Sequence, residues 1–260
     1  LFVFKTFNEI GYLGENSKKI IDKLFSQQIF LDFLNSDILN FTIVMHTRWA
    51  SVGKINFDNT HPLFLNKQST PEEFISVNGD IFNYQKFVDK KYKEYTDAYA
   101  LNFILRDVKN IFDDSTIDNL RKLDGSFSFN LVSSDVDNSF IIGKKGLQGL
   151  YFGESFNNRF YFASDLYGLV FDSSRYLKID SDSIFKINTD NTYDVFDFSN
   201  HKYFESKKFY YENISISLRD IHKKNFETFL EKEINETSEV LNKTLENYLT
   251  KRNILNFKDI

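Results

Sequence analysis

The sequence predicts an α+β fold, in which residues 1–200 form mainly strands and hairpins with two or three helices and a helical tail follows. Three observations support this prediction. Short apolar runs alternate with hairpin-type turn residues over most of the chain. Aromatic residues make up 17% of the 260 residues, which favours strands. From Asp220 onward, apolar side chains recur three, four or seven positions apart, as they do on one face of a helix.

The N-terminal part is expected to mix strands with one helix. Strands are expected at residues 1–4, 9–13, 38–45 and 74–77, and an amphipathic helix at 17–25. The run at 38–45 is apolar enough to be a buried strand. The strand at 74–77 should end in a turn, because Asn78-Gly79 is a strong turn signal.

The middle of the chain reads as two helices followed by a strand meander. Helices are expected at 97–105 and 117–123, and strands at 127–132, 140–143, 150–153, 159–163 and between about 176 and 204. The tail is a helix or a helix pair, with a candidate break at Glu236-Thr237-Ser238. We place a domain boundary near 200–218, which gives one domain at 1–205 and the start of another at 206–260.

Composition excludes several function classes. The net charge is −5, which argues against a nucleic-acid binder of the basic-patch type. The sequence has no cysteine, so a disulfide framework, a zinc–thiolate site and a cysteine nucleophile are excluded within these residues. No apolar run approaches the roughly 18 residues of a membrane helix, and no signal peptide is seen. We therefore expect a cytoplasmic protein that acts without membrane or nucleic acid. No metal site is expected either, because no two of the four histidines stand at i, i+4 and no His-Glu-x-x-His pattern occurs.

Three segments could carry chemistry, and each also has a purely structural interpretation. The first contains Arg48 and Trp49 at a strand end, where the arginine could grip a carboxylate through a bidentate fork. In the second, the Asn78 amide and the Gly79 backbone N–H could stabilise an oxyanion. In the third, Asp97 could pair with an ammonium group or simply cap a helix. Any one of them alone is weak evidence.

The order and spacing of the segments together resemble the class II glutamine amidotransferases, which are N-terminal-nucleophile (Ntn) hydrolases. The motifs are His46-Thr47-Arg48-Trp49-Ala50-Ser51, Asn59-Thr60-His61-Pro62, Asn78-Gly79-Asp80-Ile81-Phe82-Asn83-Tyr84 and Thr96-Asp97. The first two are similar to the glutamine–fructose-6-phosphate aminotransferases. The tail from Phe229 to Thr237 is similar to the entry into that family's sugar-isomerase (SIS) half. The resemblance implies a four-layer αββα sandwich of mainly antiparallel sheets.

The resemblance also implies roles for individual residues. Arg48 would hold the glutamine α-carboxylate, Asp97 the α-ammonium, and Asn78 with Gly79 would form the oxyanion hole. Trp49 would be a lid residue, and His61 would brace its loop in the substrate-binding region. The intact protein would be a homodimer that passes ammonia from glutamine to fructose 6-phosphate, and this chemistry needs no metal or organic cofactor.

Departures from the family pattern keep alternatives open. The family's nucleophile is an N-terminal cysteine, which this sequence lacks, so we expect the chain alone to be inactive. Truncation at both ends explains this most simply, and a non-catalytic relative that only binds is the alternative. Val52 and Val77 stand where the family usually has histidine. The Asn78–Tyr84 motif also resembles asparagine synthetases, and an amidophosphoribosyltransferase is a further alternative.

Overall fold

The computed structural model contains two antiparallel sheets, five α-helices and three short 3-10 helices among the residues it describes. It describes residues 3–7, 14–37, 41–48, 53–64, 73–92, 95–106, 108–133, 140–155, 159–179, 182–188, 192–205, 210–216 and 223–248. The helices are α1 Glu15–Phe25, α2 Gln28–Leu34, α3 Tyr99–Leu105, α4 Asp114–Lys122 and α5 Phe229–Tyr248. The strands are β1 Glu73–Ile81, β2 Gly125–Ser133, β3 Phe140–Lys145, β4 Tyr151–Glu154, β5 Phe160–Ala163, β6 Arg175–Lys178, β7 Ser183–Ile187, β8 Tyr193–Asp197, β9 Lys202–Glu205 and β10 Glu212–Asn213.

The larger sheet has six strands in the order β1-β2-β3-β7-β8-β9, and every neighbouring pair is antiparallel. The smaller sheet has four strands in the order β10-β6-β4-β5. Because β3 and β4 belong to different sheets, the segment 146–150 between them crosses from one sheet to the other.

One hydrophobic core lies between the larger sheet and the helices α3 and α4. Side chains alternate across a strand, and the odd-numbered positions of β1 and β2 face these helices. The buried residues of this core include Ile75, Val77, Phe127, Phe129, Leu101, Leu105, Ile117 and Leu120. This packing fixes β1, and with it Asn78 and Gly79, against a rigid helical support.

A second core lies between the two sheets and is rich in aromatic rings. Phe152 of β4 is fully buried, and its ring centroid lies 6.3 Å from that of Phe185 on β7. The Phe162 ring of β5 lies 6.1 Å from the same Phe185 ring. Stacked antiparallel sheets with helices packed outside them confirm the predicted α+β sandwich. Among the described elements, α3 and α4 form a helical layer packed on the larger sheet. Helices α1 and α2 have no buried residue, so a packed helical layer is described on one side of the sandwich.

Most expected elements are confirmed, with small shifts of their ends. The helix expected at 17–25 is α1, and those at 97–105 and 117–123 are α3 and α4. The four strands expected between 127 and 163 are β2 to β5, and β6 to β9 fill the region 175–205. The strand expected at 9–13 lies outside the described residues, and the described part of 1–4 is not a strand.

The expected turn at Asn78-Gly79 is wrong, because β1 runs straight through both residues. Asn78 pairs with Ser128 and Gly79 with Phe127 in an unbroken register. Gly79 has φ +115°, and a Cβ built on it would lie 2.1 Å from Ser126 O. The glycine therefore permits a close approach between two backbones inside a sheet. An Asn-Gly pair can mark a tight turn or a close approach of two backbones, and the sequence does not distinguish the two.

Two further expectations are wrong. The described part of the strand expected at 38–45 is unpaired, and Ile43 and Met45 are 69% and 89% exposed, not buried. The tail helix has no break at 236–238: α5 continues through this segment, and Thr237 Oγ1 donates to Glu233 O at 2.7 Å. Ser and Thr side chains can bond to nearby backbone groups and so favour a helix end. Here the Thr237 hydroxyl bonds to a carbonyl of its own helix, and the helix continues.

The chain divides into two compact units, Leu1–Ile214 and Ser215–Ile260. The first contains both sheets and helices α1 to α4. The second contains α5, whose apolar residues Leu230, Ile234 and Leu241 are exposed. Among the described residues, no helix has the length and apolar character needed to cross a membrane.

Candidate functional site

The outer edge of β1 organises the candidate site. Ile75 exchanges two backbone hydrogen bonds with Leu63, N to O at 3.0 Å and O to N at 2.7 Å. Residues of an antiparallel pair alternate between facing the neighbouring strand and facing away from it. The N–H groups of Val77, Gly79 and Ile81 therefore lie on the same outer edge as that of Ile75, away from β2.

Two of these edge donors are taken by side chains from other segments. Val77 N–H donates to His61 Nδ1 at 3.4 Å, and Ile81 N–H donates to Asp97 Oδ2 at 2.7 Å. Gly79 N–H lies between them on the ladder. The strand thus presents the Gly79 N–H between His61 and Asp97. The sequence analysis singled out these three residues separately.

His61 is paired with a second histidine. Its Nδ1 lies 2.9 Å from His46 Nε2, and the two ring centroids are 4.3 Å apart. His61 is 7% exposed, and its Nε2 has no hydrogen-bond partner among the described residues. Burial and then the nearby Arg48 charge lower the pKa of His46 to about 4. Burial, reinforced by His46, Arg48 and Lys5, holds the pKa of His61 well below its usual value.

Asp97 is a buried carboxylate held from two sides. Thr96 Oγ1 donates to its Oδ1 at 3.0 Å, while Ile81 N–H donates to Oδ2. Thr96 N–H in turn donates to Asn59 Oδ1 at 3.1 Å, and Asn59 Nδ2 donates to Lys54 O at 2.9 Å. Asn59 thus links the loop 53–64 to the start of α3. The carboxylate is fixed before any ligand arrives, which reduces the cost of ordering it.

Positive charge surrounds this edge. Arg48 is half-buried; burial lowers its pKa, and the charge of Asp97 opposes that shift. Lys5 Nζ lies 4.5 Å from the ring centroid of Phe57 and 4.3 Å from that of Phe64. Burial lowers the pKa of Lys5 to about 8, against the opposing charge of Asp58. Two cations, a neutral histidine pair and one carboxylate form an arrangement suited to a zwitterion such as a free amino acid.

The structure brings together most of the residues that the sequence singled out. His61, Gly79 and Asp97 meet along one edge, Asn78 lies half-buried in the same strand, and Arg48 is near Asp97. Trp49 lies outside the described residues. Three contributors were missed as individual residues: His46 and Asn59 stood inside the quoted motifs without a role, and Lys5 had no sequence signal. Among the described residues, no group of three or more His, Cys, Asp or Glu could hold a metal ion.

Curated proteins with similar sequences share one name. Glutamine–fructose-6-phosphate aminotransferase (isomerizing) of Buchnera aphidicola is 26% identical over 226 residues, which cover 84% of this chain and 35% of that protein. The proteins of the same name from Aquifex aeolicus and Staphylococcus epidermidis are each 26% identical and cover 84% and 94% of this chain. The chain spans about a third of the length of these relatives.

Solved structures that match this chain include the glutamine phosphoribosylpyrophosphate amidotransferase from B. subtilis in complex with ADP and GMP. It is 19% identical, has a TM-score of 0.46 and covers 59% of this chain and 34% of its own. The model of the glutamine amidotransferase domain family matches residues 37–212. That range covers both sheets apart from the last residue of β10, and every residue of the candidate site except Lys5. The chain belongs to the glutamine amidotransferase domain family.

Proposed function

We propose that the outer edge of β1 is the glutamine site of a glutaminase. The observation that carries this proposal is the position of the Gly79 N–H, between a buried histidine and a buried carboxylate. A ligand at this edge would meet a backbone donor, a fixed anion and the Arg48 cation at once. Free L-glutamine offers the matching groups, which are an amide oxygen, an α-ammonium and an α-carboxylate.

Arg48 and Asp97 would select the amino-acid end of the ligand. A guanidinium can hold a carboxylate through two parallel hydrogen bonds, which also fixes its orientation. Each Asp97 oxygen accepts one hydrogen bond within the protein, and a carboxylate oxygen has room for a further donor. Trp49 follows Arg48 directly in the sequence and is proposed as a lid over the ligand, as the family resemblance implies.

Asn78 and Gly79 would act on the amide end. Attack on the glutamine amide carbon produces a tetrahedral intermediate with a negative oxygen, which preorganised donors stabilise. Gly79 N–H and the Asn78 side-chain amide are donors of the required kind. The close contact between Gly79 and β2 holds the backbone donor in place, so little reorganisation is needed when the charge forms.

The chemistry requires a thiol that these 260 residues do not contain. In the intact enzyme, a thiolate would attack the amide carbon and the nitrogen would leave as ammonia after taking up a proton. Water would then cleave the thioester to give glutamate and the free thiol. We propose that the chain by itself binds glutamine without hydrolysing it. A binding module that never cleaves glutamine is the competing proposal.

The acceptor is proposed to be fructose 6-phosphate, which would yield glucosamine 6-phosphate in an intact protein that dimerises through a part outside these 260 residues. The support is the shared name of the curated relatives. The second unit, from Ser215, would then be the start of the sugar-isomerase domain. Asparagine synthetase and amidophosphoribosyltransferase are the alternative enzymes.

The test uses the full-length product of the native gene. We would treat it with a glutamine-mimicking diazoketone, locate the adduct by mass spectrometry, and assay glucosamine 6-phosphate formation from glutamine and fructose 6-phosphate. The proposal predicts an adduct on an N-terminal cysteine and product formation, and predicts that Arg48→Ala slows labelling at least about tenfold. A native N-terminus without cysteine and without adduct would support the binding module instead.

A further inference from the structure

We propose that His61 is a positioning residue that holds the carboxylate-binding segment and the oxyanion-hole strand at a fixed distance. Its Nδ1 accepts hydrogen bonds from two groups at once. One is the N–H of Val77, the residue before Asn78. The other is His46, two residues before Arg48, whose Nε2 lies 2.9 Å from His61 Nδ1 and is assigned as the donor below. The ligand in this inference rests on the proposed function, whereas the hydrogen bonds rest on the structure alone.

The protonation states follow from the contacts. A backbone N–H can only donate, so the nitrogen that faces Val77 must carry a lone pair. His61 Nδ1 is therefore unprotonated, and its proton resides on Nε2. The His46 nitrogen that faces the same lone pair must then be the donor, so His46 also carries its proton on Nε2. The Arg48 charge disfavours a second proton on either ring, and the Lys5 charge also disfavours one on His61.

The position of His61 explains why a side chain makes this bond. Leu63 pairs with Ile75 by backbone hydrogen bonds, and the next antiparallel step along the ladder aligns residue 61 with Val77. At that step the imidazole takes the bond that a backbone carbonyl would normally take. The segment 41–48 is neither a helix nor a paired strand, and the bond from His46 ties it to this ladder.

This arrangement has a chemical consequence for His61. Its Nδ1 lone pair is occupied by two donors, and its Nε2 carries a proton. His61 therefore has no free lone pair with which to take a proton from a nucleophile, and it cannot serve as the general base while the contacts hold. What it can offer a ligand is the Nε2–H, which is buried and has no partner among the described residues.

The tautomers can be measured without any ligand. The chain has only four histidines, so long-range ¹H–¹⁵N spectra of the ¹⁵N-labelled chain resolve each ring, and single substitutions assign them. At pH 7 we expect His61 and His46 both as neutral rings with the proton on Nε2. A His61 ring with its proton on Nδ1, or a charged His61, would overturn the inference.

Two amide substitutions test the positioning role. In His61→Asn the side-chain oxygen can take the place of Nδ1, whereas in His61→Gln it reaches the place of Nε2. By isothermal titration with L-glutamine, we expect His61→Asn to bind within about threefold of wild type and His61→Gln to bind at least about tenfold more weakly. His201→Asn, in the exposed turn between β8 and β9, is the control and should bind as wild type does.

The outcomes separate this inference from the proposed function. If wild type binds glutamine and the two amide variants weaken binding equally, or if His61→Gln changes nothing, the positioning role is wrong. If wild type does not bind glutamine, the proposed function fails, and the NMR tautomers still decide the hydrogen-bond arrangement. Thermal unfolding of each variant, monitored by circular dichroism, shows whether lost binding reflects lost folding.

Discussion

Gly79 shows how one residue can serve both the fold and the site. Its φ of +115° lies where side chains are strained, and its neighbour across the sheet leaves no room for a Cβ. A bulkier residue would have to move β2 away from β1 and would turn the backbone donor with it. Glycine at this position therefore follows from the close approach of the strands, independently of any catalytic role.

Gly79→Ala should lower the free energy of unfolding by at least about 3 kcal/mol, because positive φ and a backbone clash add together. Gly14→Ala is the matched control, since Gly14 has φ +86° and nothing within 4 Å of a built Cβ. It should cost only about 1 kcal/mol of backbone strain. Urea unfolding of both variants gives the comparison, and equal losses would refute the close approach.

Asp97→Asn should weaken L-glutamine binding at least about tenfold, because it removes the charge that would pair with an ammonium group. It should also destabilise the fold by about 1–3 kcal/mol, since an amide has one acceptor oxygen for the two donors, Ile81 N–H and the Thr96 hydroxyl. Asp89→Asn is the control, because Asp89 is exposed. Calorimetric titration and urea unfolding measure the two effects, and unchanged binding by Asp97→Asn would exclude Asp97 from the site.

At the scale of elements, the loop 53–64 depends on Asn59. The side chain is 2% exposed and spans two segments, accepting from Thr96 N–H and donating to Lys54 O. Asn59→Ala leaves both backbone groups without these partners and should lower the free energy of unfolding by about 1–3 kcal/mol. The exposed Asn35→Ala should change it by less than about 1 kcal/mol, and similar losses in both variants would contradict the role of Asn59.

The sequence predicted most elements because their patterns are local. Helices α3 and α4 and strands β2 to β5 follow from the spacing of apolar residues and from turn residues between them. The errors arose where a pattern has two physical causes. Asn78-Gly79 marks a turn in many hairpins but here marks a close backbone contact, and the apolar run ending at Met45 is unpaired in this structure.

The candidate site could be predicted only in part, for a similar reason. Arg48, Gly79 and Asp97 were found because they stand in a recognisable order along the chain. The links between them were not predicted from the sequence. The His46–His61 bond joins residues 15 positions apart, and the Asn59–Thr96 bond joins residues 37 positions apart. No local pattern reports such contacts, which depend on how the loop 53–64 packs against β1 and α3.

At the scale of the whole molecule, the half-buried His46 and the buried His61, both neutral, make stability depend on pH. The pKa of His46 is about 4 in the folded chain, against roughly 6.5 for an unfolded histidine. The contribution of His46 to the free energy of unfolding is thus complete above about pH 6.5. It is lost as the pH falls toward 4, because the unfolded chain binds the extra proton there. His61 shifts in the same direction, and the charges facing the pair are Arg48 and Lys5.

His46→Gln separates this effect from the titration of carboxylates, because glutamine can keep a donor near the place of Nε2 without titrating. Between pH 6.5 and 4, the free energy of unfolding of wild type should fall more than that of His46→Gln, by on the order of 3 kcal/mol. Urea unfolding across this range is the measurement. Parallel pH curves would show that the folded chain does not hold His46 as a neutral ring.

The division into two units predicts that the first is an independent domain. Residues 1–214 contain both sheets and both cores, so the shortened chain should unfold cooperatively and bind L-glutamine within about twofold of the full chain. Differential scanning calorimetry and titration test this. Aggregation of residues 1–214, or loss of binding, would mean that the segment from Ser215 completes the first domain.

The most direct test of the account is a crystal structure of the chain grown with saturating L-glutamine. We expect the α-carboxylate against Arg48, the α-ammonium against Asp97, and the amide oxygen within hydrogen-bond reach of Gly79 N–H. His61 should keep its contacts with Val77 and His46. Glutamine bound elsewhere, or the outer edge of β1 empty at a concentration where titration shows saturation, would contradict the assignment of this edge as the glutamine site.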